Sequence, residues 1–198
     1  MDEKSSKERS RFIMQIEKLN SFYFINKIKN HDEVKEKLLH LIKNNESDST
    51  TYNDAFITRT DYHLDQNHER TYLPLFFDTI EPVLQEQADF MFSKEVTVHH
   101  AWFQQYWQFD KHDWHTHGNS QFANIYYLEL PDKNNKTEFF NVLDQKIIKD
   151  IDIKEGDLIT FPAYIIHRSN TNSAKQKTII SFNSSFETID APKVDKLL

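Results

Sequence analysis

Phe122-Ala-Asn-Ile-Tyr-Tyr-Leu-Glu-Leu130, then Pro131-Asp-Lys-Asn-Asn135, then Thr137-Glu-Phe-Phe-Asn-Val-Leu143 reads as strand, turn, strand. Proline presets φ for a turn, and Asp and Asn side chains bond their own backbone there. Aromatic and β-branched residues dominate the flanking runs, as in strands. The same texture recurs over Val96–Phe109, Leu158–Phe161 and Lys177–Phe186, with Lys154-Glu-Gly-Asp157 as a second turn. Working back toward the N-terminus, the period changes. Asn30 followed by Glu33 reads as a capping box, and Val34, Leu38, Leu41 and Ile42 form an apolar face at helical spacing. A second helix is predicted from Asp78, capped with Glu81 and striped by Ile80, Leu84, Ala88 and Met91. Asn44–Thr51 reads as a loop.

Helices first, then strands with no helices between them, predict an α+β chain that is mainly β. The best fit is a double-stranded β-helix, or jelly roll, with the N-terminal helices covering one side. Residues 1–198 are expected to form one domain, with 1–20 as a polar tail or frayed helix and 95–190 as the jelly-roll core.

Composition narrows the chemistry. With no cysteine, thiol nucleophiles, zinc-thiolate sites and iron–sulfur clusters are excluded. The two glycines, Gly118 and Gly156, are too few for a phosphate-cradling loop, a dinucleotide fingerprint or a nucleophile elbow. The apolar runs are too short to span a bilayer, and the charged start has no apolar signal core, so a cytoplasmic protein with no membrane contact is expected. A net charge of −7 disfavours a nucleic-acid partner. What remains in excess is histidine, at ten residues.

Most of these histidines read as ordinary. His31 and His40 fall on the first helix as solvated or half-buried residues, and His63, His68, His99 and His100 have no partner at ligand spacing. His115-Thr116-His117 differs, because residues i and i+2 of an extended segment face the same way and two imidazoles can approach one ion. Asp113 shares that face as an alternative carboxylate ligand. The candidate third ligand is His167, after the turn Glu155-Gly156-Asp157 and the strand Leu158–Phe161.

Several segments together carry a resemblance. Ala101-Trp-Phe-Gln-Gln-Tyr106, Trp114-His-Thr-His117, Ile125-Tyr-Tyr-Leu128, Glu138-Phe-Phe140, Gly156-Asp-Leu-Ile-Thr-Phe-Pro162, His167 and Lys177-Thr-Ile-Ile-Ser-Phe-Asn183 come in a similar order and spacing to those of the 2-oxoglutarate- and Fe(II)-dependent dioxygenases. The likeness is to a branch of oxygenases found in bacteria and phages. It covers residues 101–186; the helical half agrees only in general character.

The resemblance implies Fe(II) held by His115, His117 and His167, with 2-oxoglutarate as co-substrate and O2 as oxidant. It also implies Tyr106 and Tyr127 as hydroxyls that bond 2-oxoglutarate; Tyr126 points the other way from Tyr127. Two positions depart from the usual family pattern. Position 117 is histidine where most relatives have aspartate, although H-x-H is common in this branch. Lys177 stands where most relatives place an arginine for the distal carboxylate of 2-oxoglutarate, and a lysine binds it as a point charge without the bidentate fork. Arg168 is expected to point away from the site, and Trp102, Trp107 and Trp114 to line it. A small-molecule or peptidyl substrate is implied but not named, the compartment becomes the host cytoplasm if the chain is phage-encoded, and the oligomeric state stays open. Two other readings also stay open: a three-histidine cupin-type enzyme that does not use 2-oxoglutarate, and a non-catalytic jelly-roll binding module.

Overall fold

A computed structural model describes residues 19–51, 55–65, 67–173 and 176–197. The expected N-terminal tail lies outside the described residues through position 18. Strand β1 (Phe24–Lys27) leads into helix α1 (His31–Asn44), followed by β2 (Asp48–Thr50), β3 (Ile57–Thr60) and helix α2 (Leu73–Phe90). The strands then run without a helix between them: β4 (Ser93–Tyr106), β5 (His112–His115), β6 (Phe122–Glu129), β7 (Thr137–Asn141), β8 (Lys146–Ile148), β9 (Asp157–Pro162), β10 (Ile166–Ser169) and β11 (Lys177–Ile189). A short helix α3 (Ala191–Asp195) follows.

The strands form two antiparallel sheets, of order β1-β9-β6-β11-β4-β3-β2 and β5-β10-β7-β8. This is the jelly-roll architecture expected from the sequence. Strand β6 shows why its sequence is apolar almost throughout. Ala123, Ile125 and Tyr127 face the smaller sheet and pack with Phe139, Ile159, Phe161 and Ile179. Tyr126 and Leu128 face the opposite way, into a second core with Leu38, Ile42, Phe76 and Ile80 from the helices. Each of these fully buried large side chains contributes about 1.5–3 kcal/mol relative to exposure.

The helices differ from expectation at their ends. Asn30 holds the N-cap position of α1, but its side chain makes no capping bond; its carbonyl instead accepts the N–H groups of Glu33 and Val34. Helix α2 begins at Leu73, five residues before Asp78, which is exposed within the helix. The earlier start places Phe76 against Tyr126 and Phe182, and Pro74 is accommodated in the first turn, where no helical N–H is needed. Met91 is the C-cap residue rather than part of the stripe.

Strand limits shift as well. Trp107–Asp110 leaves the ladder, with Phe109 at φ 74°, so the predicted run to Phe109 ends at Tyr106. Strands β1, β2, β3 and β8 carried no sequence signal: they are three or four residues long, and β8 is exposed throughout. His31 is buried rather than solvated, its Nδ1 2.7 Å from the hydroxyl of Tyr126. Among the described residues no helix is long and apolar enough to cross a membrane.

Candidate metal centre

The site opens between the two sheets, and a register shift in the smaller sheet shapes it. On β10, His167 pairs with His115 of β5, and Ser169 pairs with His112. Two steps along β10 therefore match three along β5, which is a β-bulge with one extra residue on β5. In a regular strand, residues three apart face opposite ways. The bulge turns His112 and His115 to the same side, and both line the cavity. His117 lies just beyond the strand, where its backbone N–H donates to Ala163 O at 2.9 Å and ties it beside the β9–β10 loop.

His115, His117 and His167 each offer a ring nitrogen, and these atoms lie within 4.8 Å of one another. Two of the rings are oriented by the same local device. His115 Nδ1 meets the carbonyl of Asp113 at 2.7 Å, and His167 Nδ1 meets that of Ile165 at 2.9 Å. A carbonyl only accepts, so each Nδ1 carries the proton and each Nε2 keeps its lone pair for a metal. Desolvation by burial holds all three pKa values below that of free imidazole; His117 falls to about 4, with His115 as second cause. The ligands are thus neutral at pH 7, the form that binds metal. This donor set fits a divalent transition ion such as iron.

Deeper in the cavity lies Lys177, 1% exposed. Its ammonium donates to Ser169 Oγ and to Asn135 O at 3.1 Å, and it sits 4.2 Å from the centre of the Tyr106 ring. Tyr106 and Ser169 line the cavity beside it. Among the described residues no carboxylate pairs with this lysine, and burial lowers its pKa to about 7. A buried cation without a counter-ion is costly unless a ligand supplies the negative charge.

No family model matches the chain, and no curated protein matches it in sequence. Solved structures do. An oxidoreductase of the 2OG-Fe(II) oxygenase family from Burkholderia pseudomallei superposes with a TM-score of 0.69 at 9% identity, over 83% of this chain and 86% of that one. A prolyl-4-hydroxylase from Pseudomonas putida gives 0.59 at 11% identity, over 82% and 92%. The viral collagen prolyl hydroxylase of Paramecium Bursaria Chlorella virus-1, solved with 2OG, gives 0.53 at 14% identity, over 82% and 94%. The fold is that of the 2OG-Fe(II) oxygenases.

On this oxygenase fold, Tyr106, Tyr127 and Lys177 line the same cavity as the three histidines. Tyr127 faces inward and Tyr126 outward, as strand alternation required. The Tyr127 hydroxyl is already engaged, 2.6 Å from Thr137 Oγ1 and accepting the Thr137 N–H at 3.0 Å. Asp113 stands apart from the three-histidine group. The bulge turns its carboxylate outward to Lys111 Nζ, 3.2 Å away, and to the N–H of Trp114. Arg168 points away, paired with Glu138 at 2.7 Å and stacked on Trp114.

Of the three tryptophans only Trp102 lines the cavity, stacked near His117. Trp107 is half exposed in the turn after β4, and Trp114 packs on Phe140 and Arg168. His112 is the residue that sequence reasoning missed. Period-two alternation put Asp113 on the face of His115, and a bulge built without glycine leaves no mark in the sequence.

Proposed function

We propose that this chain is an Fe(II)- and 2-oxoglutarate-dependent dioxygenase that hydroxylates an organic substrate with release of succinate and CO2. The observation that carries this reading is the pairing within one cavity of three neutral imidazoles and, beyond them, a buried ammonium without a counter-ion. The first group suits a metal and the second suits the far carboxylate of a dicarboxylic acid. His115, His117 and His167 would hold the iron, which when bound supplies the oxidative chemistry together with the co-substrate and O2. Lys177 binds the distal carboxylate as a point charge, with Ser169 and the Tyr106 hydroxyl beside it. The aromatic and aliphatic walls, among them Phe161 against His167 and Ile179, exclude water from the metal side. The protein thereby contributes geometry, charge and dryness, and no side-chain general base is required.

The test is anaerobic addition of Fe(II) and then 2-oxoglutarate to the purified protein. Weak visible charge-transfer absorption is expected only when both are present, lost in His167→Ala and weakened in Lys177→Ala. Iron binding without that absorption would move the assignment to a three-histidine enzyme that takes its substrate directly on the metal. No metal binding at all would leave a non-catalytic module.

A further inference from the structure

His112 lines the same cavity as the three histidines, yet it is not one of the candidate metal ligands. Its ring stacks on His115 with centroids 3.8 Å apart and planes 14° apart. Neither ring nitrogen hydrogen-bonds a described residue, although the half-buried side chain lines the cavity. A lone pair of an imidazole lies in the ring plane. Two nearly parallel stacked rings therefore cannot both aim an in-plane nitrogen at one ion at about 2 Å. A metal held by His115 leaves the nitrogens of His112 free for something else.

The ladder shows what lies alongside. His112 is paired with Ser169, one step along the sheet from the His115–His167 pair. Ser169 is the residue whose hydroxyl accepts from Lys177, and it lines the cavity together with Tyr106. His112 thus stands at the level of the ammonium, whereas His115 stands at the level of the metal ligands. A half-buried polar group with unused nitrogens, on the same cavity wall as an unpaired cation, is arranged to donate an N–H to the same anion.

Resting on the dioxygenase reading above, we propose that His112 is a co-substrate-binding residue. It donates a hydrogen bond to the distal carboxylate of 2-oxoglutarate, completing with Lys177, Ser169 and Tyr106 the site for that group. The bulge in β5 is the device that brings it there. A lysine alone fixes a carboxylate loosely; a second, directional donor supplies the orientation that an arginine fork provides elsewhere.

The experiment is calorimetric titration of the Mn(II)-loaded protein, without O2 turnover, with 2-oxoglutarate and separately with pyruvate, a 2-oxo acid without the distal carboxylate. Wild type is compared with His112→Phe, which keeps a flat ring on His115, and His112→Asn, which keeps a donor. His112→Phe is expected to weaken 2-oxoglutarate at least about tenfold while changing pyruvate and Mn(II) affinity by less than twofold. His112→Asn is expected to recover part of the loss. An equal fall for both 2-oxo acids, or a fall in Mn(II) affinity, would show that His112 only supports His115 and would overturn the proposal, as would unchanged 2-oxoglutarate binding. If wild type binds Mn(II) but no 2-oxoglutarate, the dioxygenase reading itself fails, an outcome separable from the others because it appears before any variant is made.

Discussion

The ammonium of Lys177 sits 4.2 Å from the ring centre of Tyr106, and both side chains are about 1% exposed. Cation–π attraction and two hydrogen bonds hold the lysine in place, but no described carboxylate neutralises it. Burial depresses its pKa from 10.5 to about 7. Between those two values the unfolded chain binds more protons than the folded one. Stability from this group therefore rises with pH through that window and is lowest below pH 7.

Lys177→Met should accordingly stabilise the ligand-free protein at pH 6–7, and the gain should shrink toward pH 10. Loss of the two hydrogen bonds, about 1 kcal/mol each, offsets part of it. For a domain of this size each net kcal/mol appears as about 2–4 °C in Tm. The same variant should lose 2-oxoglutarate binding. Thermal unfolding at several pH values checks the first part; a Tm lowered equally at every pH would refute it.

Co-substrate binding should depend on pH through the same group. A dicarboxylate prefers charged Lys177, so affinity is expected to be flat below pH 7 and to fall above it, approaching tenfold per pH unit. At pH 8 binding should take up a proton, visible as a buffer-dependent heat in calorimetry. Affinity constant from pH 6 to 9 would remove Lys177 from the site.

The metal site makes a prediction about which side chains matter. His167→Ala and His117→Ala should each cost more than the 10–100-fold loss typical of residues that merely support a ligand. Asp113→Asn should leave metal affinity unchanged, because that carboxylate is engaged with Lys111 on the outer side and partly exposed pairs contribute little. Equilibrium competition with a chelator of known affinity measures all three. A loss in Asp113→Asn would make the carboxylate a ligand after all.

Gly156 offers a test of the scaffold separate from the site. It has φ +87°, and an added Cβ would approach His31 Cγ to 3.0 Å. Its N–H and carbonyl also tie Tyr127 O and the Ile28 N–H. Gly156→Ala should cost about 1–3 kcal/mol of stability from the left-handed backbone, more with the contact to His31, while the folded fraction binds metal normally. Chemical denaturation with a parallel metal titration reads both.

Much of this arrangement was legible beforehand. The two turns, Pro131–Asn135 and Lys154–Asp157, and the apolar run of β6 carried the sandwich, since a strand buried on both faces needs mostly apolar side chains; β11 is buried nearly as fully but mixes Ile and Phe with Thr and Ser. The H-x-H pair and the distal histidine were visible as residue types at workable spacing. The start of α2 was not visible, because Pro74 masks a first turn that only the contact of Phe76 with Tyr126 and Phe182 makes worthwhile. Exposed β8 left no pattern because nothing selects its side chains for burial.

By itself the sequence determined the chemistry available: no thiols, too few glycines for phosphate loops, an excess of imidazole, and one lysine opening a strand that mixes apolar residues with Thr, Ser, Asn and Glu. Tertiary structure alone decided which of these groups meet. Alternation along a strand is a local rule, and it assigned Asp113 to the face of His115. Pairing with β10 inserts one extra residue in β5 and reverses that assignment, sending the carboxylate outward and bringing His112 in. Register is set by the hydrogen bonds of the neighbouring strand, more than fifty residues away in the chain, and no reading of β5 alone contains it.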